Sequence, residues 1–216
     1  MSKDKSGSPP CGIYVRIDDF SNMLDLIGYV RQMAFAINRG SGYEKNFTVV
    51  ELVCNENDPE RQERITDLIP VIRDQGLVAV VSGLNDISDI KGADGALIKQ
   101  ADDIETVRKY HGADAIIGVE ADNQKDAKEA IAAGCDYIVT GADPTVIAAI
   151  SHGTECLIVT RGQDITNQNC GVLAQAGASF VDVSSYVLGY EKGVMQATVN
   201  VLDALEQAMQ VPEALN

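Results

Sequence analysis

The sequence contains no tryptophan, only two histidines, and few aromatic residues, which make up 5% of the chain. Its hydrophobic core must therefore be mostly aliphatic. Positive charge is also scarce, because 17 Lys and Arg stand against 32 Asp and Glu, for a formal net charge of −15. A chain of this charge without a basic stripe is a poor ligand for phosphate backbones and anionic membranes. We expect neither a nucleic-acid nor a membrane partner.

Long hydrophobic runs are missing as well. No stretch approaches the ~20 apolar residues of a membrane-spanning helix. Residues 1–10 are polar and rich in serine and proline, without the apolar segment of a secretory signal. We therefore predict a cytoplasmic protein with a disordered tail at 1–10. The 216 residues, 45% of them hydrophobic, suffice for one large domain or two small ones.

Five cysteines are present, an odd number without the C-x-x-C spacing of many metal sites. Most lie in apolar runs, so we interpret them as reduced, buried thiols. His111 and His152 each stand beside a glycine at the end of a helical pattern, where positive charge complements the helix dipole. This interpretation leaves no Cys–His nucleophile.

A repeat of about 20 residues organises the chain. In each unit a helical pattern ends at a glycine, a small and a polar residue follow, and a short β-branched run begins. Strands and helices that alternate at this spacing indicate a parallel sheet. Eight strand-like runs occur, near 12–17, 47–53, 77–81, 96–99, 115–119, 136–140, 156–160 and 179–183. They predict an α/β fold, a TIM-type (βα)8 barrel, with a doubly wound open sheet as the alternative.

The barrel is predicted to occupy residues 11–209 as one domain, followed by a C-terminal tail at 210–216. Apolar residues at helical spacing predict helices that include 23–39, 59–75, 122–133 and 191–209. The last helix would bury its apolar stripe on the barrel itself. No surplus apolar face demands a partner chain, although a homodimer is compatible with the sequence.

Active sites of such barrels lie at the carboxyl ends of the strands. The predicted strand ends bring Arg16, Lys99 and Arg161 to one rim of a strongly acidic protein, which favours an anionic small ligand. The loops after the seventh and eighth strands, the usual phosphate site of the fold, carry Arg161-Gly162 and Ser184-Ser185. Glycine lets backbone N–H groups approach, arginine supplies a bidentate charge and serine donates hydroxyls. The alternative is ordinary solvated charge on polar loops.

Carboxylates follow the fourth and fifth predicted strands. Asp102, Glu120 and Asp122 are candidates to hold Mg²⁺ together with water. Asp102 and Asp122 also precede helical patterns, and for both the role of helix N-cap is favoured.

Lys99 has several candidate roles. It can extend to solvent, or pair with a phosphate or with Glu120. Schiff-base formation ranks last, because it needs a desolvated lysine. If the site is catalytic, Lys99 and Glu120 are its candidate acid–base groups.

Four segments in order resemble the thiamine phosphate synthase family, which includes the TenI-like proteins. Residues 91–102 are similar to its K-A-D-G-x-H-x-G-Q-x-D run, and 117–119 to its I-G-V-S. Residues 133–138 resemble its A-G-A-D-Y-I, and 175–178 the start of its Q-A-G-A-D-G. The resemblance implies a barrel that joins a pyrimidine diphosphate to a thiazole phosphate, with Mg²⁺ on the diphosphate.

The resemblance also shows which family residues are replaced. Residues 51–55 stand where the family has Q-x-R-x-K, so its diphosphate-binding Arg and Lys are missing, and Ser82-Gly83 replaces N-D, which supplies one metal aspartate. The T-x-T-K loop after the sixth strand is absent. The residues that remain are Asp102, which matches the family's other metal aspartate, and Gln100 beside it. Gly162, after Arg161, matches the second glycine of the family's G-G, and Ser185 matches its phosphate-contacting serine.

Two classes of function follow. The first is a thiamine phosphate synthase-like enzyme, or a divergent relative acting on another small phosphate ester. The second is a non-catalytic barrel that binds or senses a phosphorylated ligand. In both, the ligand, thiazole phosphate or a similar molecule, binds at the carboxyl ends of the strands. We do not expect efficient synthesis of thiamine phosphate, because the residues that would bind the diphosphate leaving group are missing. Such residues contribute several kcal/mol of transition-state stabilisation.

Overall fold

The computed structural model describes residues 11–39, 48–55, 57–83 and 92–210. Its strands are β1 Gly12–Ile17, β2 Thr48–Val53, β3 Val78–Ser82, β4 Gly95–Ile98, β5 Ile116–Glu120, β6 Tyr137–Gly141, β7 Leu157–Arg161 and β8 Phe180–Asp182. Its helices are α1 Met23–Arg39, α2 Pro59–Asp74, α3 Ile104–His111, α4 Gln124–Ala132, α5 Pro144–Ser151, α6 Cys170–Gln175, α7 Ser184–Gly189 and α8 Val194–Gln210. The strands are parallel and close into a barrel in chain order, with β8 paired to β1. The predicted (βα)8 class is confirmed, and the open sheet is wrong.

Two apolar layers hold the barrel together. An inner cluster, which includes Tyr14, Leu97 and Val159, fills the interior, and a larger aliphatic layer joins the strands to the helices. Because both faces of every strand are covered, the strands read as β-branched runs with little alternation. None of the described helices combines the length and apolar composition that a bilayer crossing requires.

The repeat seen in the sequence has a structural cause at the amino ends of the strands. The Asp94 carboxylate accepts the backbone N–H of Ala79 at 2.8 Å, and the Asp136 carboxylate accepts that of Ile117 at 2.8 Å. In each case the polar residue of one unit satisfies the backbone of the preceding strand. These aspartates therefore stabilise strand pairing and lie at the end of the barrel away from the predicted site.

Two helix-cap predictions are wrong. Helix α4 is capped by Asn123, whose side chain accepts the N–H groups of Lys125 and Asp126, and not by Asp122. Asp102 lies inside a short 3-10 helix, Ala101–Asp103, which leads into α3, and no side chain caps the start of either helix.

Other boundaries shift by a few residues. The predicted helix at 191–209 begins at Val194, and Gln210, predicted to open a tail, is the last residue of α8. The predicted tail at 1–10 and the rest of 210–216 lie outside the described residues.

Candidate functional site

We call the carboxyl end of the barrel interior the mouth. It is polar because charged side chains occupy the inward-facing positions nearest the strand ends. Tyr14 and Val159 line the interior, and side chains two positions apart share one face of a strand. Arg16 and Arg161 therefore face the same interior, one layer closer to the carboxyl ends. Glu51 enters this layer from β2, in register with Arg16.

Glu51 is the centre of the polar layer. Its side chain is only 1% exposed. Tyr14 Oη donates to one carboxylate oxygen at 2.9 Å, and Ser82 Oγ donates to the other at 2.5 Å. Arg161 donates to Glu51 through Nη2, and Arg16 Nε lies 3.7 Å from the carboxylate. A buried charge is tolerated only when it is paired and hydrogen-bonded, and Glu51 meets both conditions.

Asp182 forms the second half of the network. Arg161 Nε donates to its Oδ2 at 2.9 Å, and its Oδ1 accepts the backbone N–H of Ser184 at 3.1 Å together with the Ser184 hydroxyl. The Ser184 hydroxyl oxygen in turn accepts the backbone N–H of Arg16 at 2.6 Å. Ser184 therefore ties β1 to β8 inside the protein, a structural role beside the predicted phosphate-binding one.

The network changes the acid–base behaviour of its members. Burial opposes the charge of Arg161, but the carboxylates of Glu51 and Asp182 outweigh it and raise the pKa of Arg161 above its ordinary value. Burial, reinforced by the neighbouring Tyr137 and Glu51, raises the pKa of Tyr14. Tyr14 is therefore a hydrogen-bond donor that stays protonated at neutral pH, and Arg161 stays charged.

The predicted site residues fall into two groups. Arg16, Arg161 and Ser184 meet around Glu51 and Asp182, whereas Lys99, Gln100, Asp102 and Ser185 are exposed and join none of the contacts just described. Glu120 lies between the groups, since its carboxylate is 3.8 Å from Arg161 Nη1. Gly162 packs closely in the loop after β7, where an added Cβ would lie 3.0 Å from the Cβ of Ala142.

Sequence reasoning assigned no role to Tyr14, Glu51 or Asp182. A signal for the two carboxylates is present, because Glu51 lies inside an otherwise apolar or β-branched strand and Asp182 ends another. Acidic residues are almost never fully buried unless they are paired, so a carboxylate within such a run indicates a buried cation nearby. Tyr14 carries no such signal, because tyrosine is common in strands.

Two clefts lie beside the mouth, next to the segment that follows β1. One, of about 180 Å³, is lined by residues that include Asp18, Arg61 and Arg64. The other, of about 260 Å³, lies between Asp18 and residues that include Tyr29 and Leu188. Both clefts are lined by Asp18, whose carboxylate pairs with Arg16.

The residues at the mouth do not fit the Mg²⁺ site that the family resemblance implies. Among the described residues, no group of three or more His, Cys, Asp or Glu side chains could hold a metal ion. Gly83 stands where the family has a metal aspartate, and its φ is +77°, in the left-handed region that favours glycine. A Cβ at Gly83 would lie 2.6 Å from the carbonyl oxygen of Cys54. The backbone itself therefore excludes an aspartate here.

Comparison with known proteins agrees with the fold and its motifs. The family model described as thiamine monophosphate synthase matches residues 43–187. A thiamine-phosphate synthase of Natronomonas pharaonis is 32% identical over 68% of this chain and 76% of its own length. Another, of Prochlorococcus marinus, is 29% identical over 74% of this chain and 46% of its own length, so the alignment spans less than half of that relative.

A solved structure supports the architecture. The thiamine phosphate pyrophosphorylase of Pyrococcus furiosus superposes with a TM-score of 0.70, over 92% of this chain and 96% of its own, at 20% identity. At that identity the likeness shows the fold alone. The family model, by contrast, covers most of the chain. The protein is thus a (βα)8 barrel that belongs to the thiamine monophosphate synthase family.

Proposed function

We propose that this chain binds a small phosphate ester, thiazole phosphate or a close analogue, at the barrel mouth. The observation that carries the proposal is the meeting of two guanidinium groups, those of Arg16 and Arg161, on the single buried carboxylate of Glu51. Paired arginines at this end of a barrel offer planar sets of N–H donors that suit phosphate oxygens.

Donors remain on both arginines for a ligand. Arg161 uses Nε and Nη2 on carboxylates, but its Nη1 is 3.8 Å from Glu120, too far for a hydrogen bond. The Arg16 side chain is 37% exposed, and its Nη1 binds the exposed carboxylate of Asp18. A phosphate can therefore replace Glu120 and Asp18 as the partner of these groups without disturbing Glu51.

The carboxylates also limit the expected affinity. Glu51 and Asp182 balance the two arginine charges, and Glu120 adds a further negative charge at the rim. A phosphate dianion must overcome that repulsion, so we expect weaker binding than at an uncompensated arginine pair. Gly162 and Ser185, from the loops after β7 and β8, remain proposed contributors of N–H and hydroxyl donors.

We further propose that the chain does not couple a pyrimidine diphosphate to a thiazole phosphate at a rate ordinary for the family. The family's diphosphate-binding Arg and Lys are absent from residues 51–55, at the end of β2. Gly83 leaves no room for a metal aspartate. Asp102 alone is a poor Mg²⁺ site, because protein Mg²⁺ sites need further oxygen ligands held in an octahedron. We therefore propose no catalytic step that uses Mg²⁺.

Aldolase chemistry through Lys99 is not favoured. Schiff-base lysines depend on burial, and Lys99 is exposed. Borohydride trapping with a small keto acid should give no covalent adduct on Lys99, and a stable adduct would restore the enzyme alternative.

Binding is tested by titration calorimetry with thiazole phosphate. Arg16→Ala should weaken binding by about 10- to 100-fold, the value of one lost charge-assisted hydrogen bond of about 1.5–3 kcal/mol. The matched control is Arg73→Ala, which removes an arginine paired with Asp94 at the other end of the barrel and should leave the affinity unchanged. Equal affinities for the wild type and Arg16→Ala would contradict the proposed site.

Catalysis is tested separately by incubating both thiamine precursors with Mg²⁺ and the protein. We expect product at the level of the protein-free control. Turnover comparable to that of an ordinary family member would overturn the proposal that the diphosphate half of the site is absent.

A further inference from the structure

Two of the five cysteines lie in contact at the end of the barrel opposite the mouth. The sulfur atoms of Cys135 and Cys156 are 3.8 Å apart. Cys135 precedes β6 and Cys156 precedes β7, and the register that pairs Tyr137 with Leu157 holds the two chain segments side by side. All five cysteines are free thiols, as predicted, but the prediction that they are buried is wrong for this pair.

The pair is accessible, in contrast to the other thiols. Cys135 and Cys156 are partly exposed, whereas Cys11, Cys54 and Cys170 are buried. The side chain that follows Cys156 in sequence, Leu157, is 44% exposed, so the surface around the pair is open to solvent. Access of this kind distinguishes reactive thiols from structural ones.

The contact also makes the two thiols unequal. With Cys135 as the donor, the hydrogen bond between the two thiols lowers the pKa of Cys156, against partial burial and the Asp136 carboxylate, which both raise it. The same hydrogen bond, together with burial, raises the pKa of Cys135. The thiolate is the nucleophile in sulfur chemistry, and this difference in pKa favours Cys156 as the group that reacts first.

We propose that Cys135 and Cys156 are a redox modification site, which hydrogen peroxide converts into a reversible intramolecular disulfide. The Cys156 thiolate attacks one peroxide oxygen, the O–O bond breaks, and the product is a sulfenic acid and hydroxide. The Cys135 sulfur then attacks the Cys156 sulfur, and the sulfenic oxygen leaves with a proton as water. The two cysteines lose two electrons in total and the hydrogen peroxide is reduced. The hydroxide takes up the proton that the Cys156 thiol released on ionisation, so two water molecules form.

The geometry requires little rearrangement for this step. A disulfide needs its sulfur atoms about 2.05 Å apart, so the two atoms must approach by rotation of their own side chains. Both residues lie outside the regular strands, at the starts of β6 and β7, where such adjustment does not break the sheet. The site lies far from Glu51 in the barrel, and the inference does not depend on the proposed phosphate ligand.

The test uses the full chain, reduced and freed of reductant, then treated with hydrogen peroxide. Titration of thiols in denaturant should fall from five to three and return to five after dithiothreitol. Peptide mapping should find one cross-linked pair, containing Cys135 and Cys156, 2 Da lighter than the sum of its reduced peptides. Five free thiols after treatment, a cross-link between two chains, or a cross-link through another cysteine would overturn the proposal.

Single variants test the order of reaction. In Cys135→Ser, Cys156 has no partner, so its sulfenic acid should persist and be captured by dimedone, whereas Cys156→Ser should give no dimedone adduct at Cys135. The matched control Cys170→Ala, which removes a buried thiol, should still lose two of its four remaining thiols. Dimedone capture at Cys135 but not at Cys156 would refute the assignment of Cys156 as the attacking group. Mapping of the wild type decides the proposal even where a variant fails to fold.

Discussion

Replacement of Arg161 by methionine tests whether the charge network organises the mouth. Methionine keeps an unbranched apolar stem and removes the guanidinium. Glu51 and Asp182, whose side chains are 1% and 6% exposed, would then lose their shared cation. Glu51 keeps Tyr14 and Ser82 as donors and Arg16 Nε at 3.7 Å, whereas Asp182 loses the cation it is paired with, and hydrogen bonds from neutral groups do not balance a buried charge.

The expected loss of stability follows from these contacts. Arg161 makes two charge-assisted hydrogen bonds, to Glu51 and to Asp182, each worth about 1.5–3 kcal/mol. Removal of one partner from a buried ion pair costs about 3–5 kcal/mol in other proteins. Because the Arg161 side chain is 27% exposed, water can reach the mouth and reduce the penalty. We therefore expect a loss of about 3 kcal/mol.

Urea unfolding at pH 7 measures this change. The midpoint should fall at constant m-value, and the melting temperature should drop by about 6–12 °C, given about 2–4 °C per kcal/mol for a domain of this size. Arg73→Met is the matched control. Arg73 pairs with Asp94 at 3.1 Å, but their side chains are 54% and 24% exposed, so the control should lose less than about 1 kcal/mol.

A second comparison separates the uncompensated charge from lost packing. Adding Glu51→Gln to Arg161→Met removes one of the two buried carboxylates that Arg161 had paired with, so the double variant should be more stable than Arg161→Met alone. If Arg161→Met costs no more than the Arg73 control, or if the second substitution lowers stability further, the network does not stabilise the fold as reasoned.

Three further predictions concern local features. Gly83→Ala should lower the free energy of unfolding in urea by about 2 kcal/mol or more, because the added Cβ would lie 2.6 Å from a carbonyl oxygen. Gly112 also has a positive φ, +96°, but open space around it, so Gly112→Ala should show only the smaller backbone strain of about 1–2 kcal/mol. Asn123→Ala should lower stability by about 1 kcal/mol through loss of the α4 cap, and Asp122→Ala should change it little; equal effects would contradict the assigned cap. Burial raises the pKa of Cys170 from 9.0 to about 11, so this thiol stabilises the fold below pH 9 and loses that contribution as the pH rises to 11. The alkaline fall in unfolding free energy should be smaller in Cys170→Ala by on the order of 2 kcal/mol, and unchanged pH dependence would refute this.

The fold was predictable because its signals are local. Most strands are short apolar runs, often β-branched, that follow a glycine closely, and the polar residue of the repeat, as at Asp94 and Asp136, bonds to a strand that is near in sequence. Helix starts were less predictable. Asn123 and Asp122 are both good capping residues, and the choice between them depends on the backbone angles at the turn.

The site was only partly predictable, because its decisive contacts join distant parts of the chain. Arg161 and Glu51 are 110 residues apart, and Arg16 and Ser184 are 168 residues apart. Strand order placed all four at one end of the barrel. The pairing of a particular cation with a particular carboxylate, however, depends on side-chain direction and barrel diameter. The sequence therefore predicted the cations at the rim but not the buried anions that hold them.

Gly83 shows how a single residue links the family likeness to a difference in chemistry. An aspartate lost through an ordinary substitution could in principle be restored by the reverse change. Here Gly83 has a positive φ and approaches the Cys54 carbonyl, so Gly83→Asp would have to displace β2 as well. The main chain at this position therefore opposes an aspartate. We expect Gly83→Asp to destabilise the barrel without creating a Mg²⁺ site, and tight Mg²⁺ binding by a stable Gly83→Asp variant would contradict this reasoning.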